Sequence, residues 1–176
     1  MSRQYRWLLP LALGISDGIL NALILAASAM LHGGGQITFT LAYRVAIVAF
    51  VTAIFTVFVA EYANLRAGLS RAARQLNFTQ SGRLATTQLG REVRKEGLQA
   101  ALGASLASLF GAATPLAIGA LVPAYPWVSL LFAIIALGVL GIALARATSG
   151  NPVYWSLGLI ACGIVVAAIG AQLRLA

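Results

Sequence analysis

The sequence predicts an all-α integral membrane protein of five transmembrane helices, and three observations carry that expectation. Hydrophobic residues fill 60% of the 176 positions and charged residues 9%, a balance that excludes an ordinary soluble domain. Apolar stretches near residues 7–30, 39–62, 98–122, 127–147 and 153–173 are each long enough, at ~1.5 Å per residue, to cross a hydrocarbon core of ~30 Å. The basic residues fall almost entirely on one side of this five-span pattern.

That asymmetry sets the expected orientation. Arg3 and Arg6 precede span one, Arg66, Arg71, Arg74, Arg83, Arg91, Arg94 and Lys95 lie between spans two and three, and Arg146 closes span four. The connections near 31–38 and 123–126 carry no Lys or Arg, and only Arg174 lies in the opposite flank. The positive-inside rule then puts the N-terminus in the cytoplasm and the C-terminus outside, in a cell or inner membrane. The net charge of +8 follows from the same asymmetry. It points to anionic lipids at the cytoplasmic face and not to nucleic acid.

Span one opens with Arg3 and Arg6, but its apolar run exceeds the ~7–15 residues of a signal-peptide core and contains Asp17, so it is expected to remain as a span. A carboxylate near a bilayer centre costs roughly 3 kcal/mol unless it meets a partner, water or an ion, which makes Asp17 the first functional candidate. Gly14, Asp17, Gly18 and Asn21 follow i, i+3, i+4 and i+7 spacing and share one helical face. Gly14 and Gly18 are also a small-xxx-small pair suited to close helix contact. Two readings stay open. The carboxylate and amide supply oxygen ligands to a metal ion or carry a proton, or Asp17 is structural, hydrogen-bonded to a neighbouring hydroxyl or paired with Arg44.

Span two ends in Glu61-Tyr62. Glu61 is expected at the cytoplasmic end, roughly 10 Å shallower than Asp17, which suits a mouth site and an inner site on one route better than one compact cage. A cap-region carboxylate paired with Arg66 is the plainer alternative. Arg44, in the outer part of this span, needs a partner or snorkelling, and its charge opposes cation passage beside it.

Residues 63–97 form the one sizeable connection outside the membrane, within a single transmembrane domain covering 1–176. Leu65, Leu69 and Ala73 share a face opposite polar residues, so span two is expected to continue as a helix, followed by a break around Asn77–Gly82 and a second amphipathic piece toward Gly97. Glu92 and Glu96 lie among Arg91, Arg94 and Lys95, where local ion pairing explains them better than a metal site.

Span three carries Gly103, Ser105, Ser108 and Gly111 before Thr114-Pro115. Small residues permit close packing, and Pro115 predicts a kink that frees a backbone carbonyl; a re-entrant segment is the alternative. Spans four and five, with Gly138, Gly141, Gly158, Gly163 and Gly170, read as packing partners, flanked by the interfacial aromatics Trp127, Tyr154 and Trp155. Cys162 reads as a small apolar residue and His32, beside Gly33-Gly34-Gly35, as a poor metal ligand. No Walker loop, dinucleotide fingerprint, CxxC or HExxH pattern occurs, so no enzyme is expected.

The order Gly14-Ile15-Ser16-Asp17-Gly18, then Glu61-Tyr62, then the glycine-rich Leu106–Leu116 run ending in Pro115-Leu116, on five spans with the main insertion between two and three, resembles the vacuolar iron transporter (VIT) family. The resemblance covers nearly the whole chain. It implies a homodimer with first-span helices near a two-fold axis and an ion path between subunits. It also implies exchange of cytoplasmic Fe²⁺ or Mn²⁺, as substrate, for protons as coupling ion, with no permanently bound cofactor. The resemblance carries the family's aspartate and glutamate over to Asp17 and Glu61 as metal ligands, and Asn21, Gly14 and Gly18, which share the Asp17 face, are expected on the transport pathway. The chain differs in having Val57 where the family has a methionine, Ala67 and Gly68 where serine and acidic residues often follow, and no glutamate-rich cytoplasmic domain. These differences define the alternative: a non-transporting membrane scaffold or complex subunit, built on the same fold, with a membrane protein partner.

Overall fold

In the computed structural model, which describes residues 3–31, 37–75, 88–125 and 127–172, the chain is all helical. The break expected at Asn77–Gly82, and His32, Arg83, Pro126 and Arg174, lie outside these residues. The helices are α1 (Arg3–Leu31), α2 (Phe39–Gln75), α3 (Gln88–Leu121), α4 (Trp127–Thr148) and α5 (Pro152–Gln172). Each contains a segment long and apolar enough to cross a membrane: Leu8–Met30, Phe39–Gly68, Arg94–Leu121, Trp127–Thr148 and Pro152–Gln172.

Local chemistry fixes several helix ends. Thr38 caps α2, its Oγ1 accepting from the Leu41 N–H at 3.3 Å. Between α4 and α5, Ser149 takes a left-handed φ of 54°, and the Gly150 N–H reaches the Ala145 carbonyl at 2.8 Å, closing α4 as a Schellman turn. Asn151 Oδ1 then accepts from the Val153 N–H at 3.0 Å, with Pro152 in the first helical position where its missing N–H costs nothing.

The long amphipathic connection is helical at both of its described ends. α2 runs on to Gln75 and α3 begins at Gln88, so each helix exceeds the length a bilayer core requires. α3 is continuous through Thr114-Pro115, with Pro115 buried inside it, and its Arg94–Leu121 segment is long and apolar enough to cross a membrane. The Thr114 hydroxyl bonds back to the Phe110 carbonyl at 2.6 Å, and the buried Ser129 hydroxyl of α4 donates to the Pro115 carbonyl at 2.7 Å. These bonds hold Thr114 to its own helix and tie α4 to the Pro115 segment of α3.

α1 is the centre of the molecule and packs on all four other helices. α3 lies between α1 and α2, while α4 and α5 pair with each other on α1. The enclosed side chains are small: Ala22, Ala26, Ala29, Ala42, Ala46, Ala49, Ala104 and Ala112 are buried, with Leu23, Leu116 and Leu137 the largest fully buried aliphatic side chains. Large apolar residues such as Leu106, Phe110, Ile135, Val139 and Val165 point outward. Lipid-facing bulk around an alanine- and glycine-rich interior is what helix association in a bilayer favours, because lipid offers no hydrophobic drive between helices.

Candidate functional site

The α1–α3 contact positions Asp17. A Cβ added at Gly14 would overlap the Ala104 carbonyl oxygen, and one at Gly18 the Ser108 carbonyl oxygen. From the other side, a Cβ on Gly111 would lie 2.7 Å from the Ile15 carbonyl oxygen. The two backbones therefore touch along Gly14-xxx-Gly18 and Ala104-xxx-Ser108-xxx-Ala112, a spacing that puts small residues of both helices on facing ridges. Gly14 and Gly18 are buried in this seam, and their contribution is the close approach itself.

At that approach the carboxylate next to Gly18 meets α3. The Ser108 hydroxyl donates to Asp17 Oδ2 at 3.1 Å and lies 3.3 Å from the Ala49 carbonyl oxygen of α2. Ser108 has no exposed surface, so three helices converge on one hydroxyl. Ala49 O also accepts from Thr52 Oγ1 at 3.1 Å. Asp17 itself is exposed on the single chain and Asn21, one turn along, is partly exposed. Of the two structural partners open to Asp17, the hydroxyl is the one used; among the described residues no ion pair joins it to Arg44, which is exposed on α2.

Glu61 stands apart from this node. It lies twelve residues beyond Ala49 on α2, about 18 Å along the helix at 1.5 Å per residue. Glu61 is partly exposed, next to Tyr62, whose ring stacks on Phe58 at 5.9 Å between centroids and whose backbone faces Gly97. Asp17 and Glu61 thus do not form one site. Among the described residues, no three His, Cys, Asp or Glu side chains gather to hold a metal.

Chemically, the Asp17 node offers a carboxylate and a hydroxyl, all oxygen, with one carboxylate edge open to the outside of the chain. Ser108 entered the sequence reading only as a small residue of span three. The matching i, i+4 ladder of small residues on spans one and three is the signal that would have paired it with Asp17. No family model matches the chain, and comparison with curated proteins and with solved structures gives no match either.

Proposed function

We propose that the protein is a dimeric membrane transporter that moves a divalent cation, Fe²⁺ or Mn²⁺, out of the cytoplasm in exchange for protons, with Asp17 as the inner carboxylate and Glu61 at the mouth. The observation that carries this reading is the placement of Asp17. It sits in the middle of an apolar helix at a three-helix junction, held by one hydroxyl, and its carboxylate remains exposed on the single chain. An acid kept accessible within an apolar helix, with no cation paired to it among the described residues, is suited to exchange a proton for a metal ion. A second copy set against the exposed edge of α1 would bring a second carboxylate to the route.

Metal flux into anaerobic proteoliposomes under an imposed pH gradient, comparing the wild type with Asp17→Asn, tests the proposal. Protein-dependent flux lost in the variant supports it; no flux from folded, inserted wild type overturns it. One observation favours a second reading, a non-transporting scaffold: Asp17 is the lone acid at its node and already has a hydrogen-bond partner. Purification in mild detergent would then recover a second membrane protein in fixed ratio, and recovery of this chain alone would dismiss that reading.

A further inference from the structure

We propose that the Ser108 hydroxyl oxygen is itself a ligand of the cation carried at Asp17, an assignment that rests on the transport reading above. Ser108 has one hydroxyl hydrogen and two acceptors, Asp17 Oδ2 at 3.1 Å and Ala49 O at 3.3 Å, on two different helices. An ionised Asp17 draws that hydrogen, because a bond to a carboxylate is the stronger of the two. A cation arriving on Asp17 Oδ2 reverses the preference. It repels the hydrogen, the hydroxyl rotates so that its hydrogen points to Ala49 O, and an oxygen lone pair turns toward the ion. No proton is gained or lost, and no backbone moves.

The distances fit this exchange. Two oxygens bound at right angles to one ion at about 2.1 Å stand ~3.0 Å apart, close to the 3.1 Å already separating Asp17 Oδ2 from Ser108 Oγ. The other buried serines with a described partner are committed elsewhere: Ser105 bonds the Leu102 carbonyl of its own helix and Ser129 the Pro115 carbonyl. The resulting donor set is a carboxylate and a hydroxyl, completed by water on the exposed side of Asp17. Such hard oxygen donors select a hard divalent ion such as Mn²⁺ over a thiophilic one such as Cd²⁺. The hydroxyl also ties cation occupancy to the α3–α2 contact, since the bond to Ala49 O forms fully only when the ion is present.

The test uses the full-length protein with its native thiol removed by Cys162→Ala, a residue exposed on α5. Mn²⁺ and Cd²⁺ are titrated into this background and into Ser108→Ala, Ser108→Cys and Asp17→Asn versions of it, each checked for a single peak on gel filtration. Ser108→Ala leaves the Ser108 main chain against Gly18 untouched, so folding is expected to survive. Mn²⁺ affinity should fall by about tenfold or more in Ser108→Ala, the scale of losing a supporting metal contact. In Ser108→Cys the introduced thiol should lose its proton to water on binding Cd²⁺. The resulting ultraviolet sulfur-to-cadmium band should be absent from the background and abolished by adding Asp17→Asn. Unchanged Mn²⁺ affinity in Ser108→Ala with no such band in Ser108→Cys, while Asp17→Asn still eliminates binding, overturns the assignment and leaves the transport reading standing. A background protein that neither binds nor moves Mn²⁺ overturns both.

Discussion

Gly18 and Ser108 bring α1 and α3 into main-chain contact, and the same pair of positions delivers a carboxylate to a buried hydroxyl. The Ser108 carbonyl occupies the space a Gly18 side chain would need, while the Ser108 hydroxyl reaches Oδ2 of the adjacent Asp17 at 3.1 Å. The packing glycine and the candidate site are therefore one device. Widening the seam would withdraw Ser108 from Asp17 before it unfolded anything.

Gly18→Ala should therefore destabilise the protein. Its Cβ would meet Ser108 and Ala112 backbone atoms, which cannot rotate away, and overpacking of this kind costs about 1–3 kcal/mol. Gly158→Ala is the control, since nothing lies within 4 Å of the added methyl group. Thermal unfolding in detergent should show a lowered midpoint for the first and an unchanged one for the second. Equal midpoints would mean that α1 and α3 do not touch as described.

Ser129→Ala should cost about 1 kcal/mol, the net worth of its 2.7 Å bond to the Pro115 carbonyl. The loss should fall on the α3–α4 contact. Unfolding free energies of the wild type and Ser129→Ala check this; equal values would show that the Ser129 hydroxyl does not tie α4 to α3.

The orientation expected from the one-sided basic residues is directly measurable. In a Cys162→Ala background, Ala67→Cys should react with a membrane-impermeant thiol reagent only from the cytoplasmic side, and Tyr125→Cys only from outside; both positions are exposed. Labelling of the two from the same side would contradict an odd number of crossings between them.

Much of this fold is legible in the sequence because hydropathy sums over some twenty residues, and no single substitution obscures such a run. The first, fourth and fifth stretches read as spans coincide closely with α1, α4 and α5, the second and third form parts of the longer α2 and α3, and Leu65, Leu69 and Ala73 foretold the continuation of α2. The bond from Ser129 to the Pro115 carbonyl was not legible, because its donor comes from α4, fourteen residues away. The Asp17–Ser108 contact was hidden for the same reason: spacing shows which residues share a face, but not which helix that face meets.

The most direct test of a transport role for Asp17 is metal flux into anaerobic proteoliposomes driven by an imposed pH gradient, with wild type and Asp17→Asn reconstituted at equal density. The expected result is Fe²⁺ or Mn²⁺ uptake by the wild type and background uptake by the variant, whose amide keeps the side-chain volume but cannot exchange a proton for a cation. Uptake by Asp17→Asn at the wild-type rate would contradict the role assigned to this carboxylate.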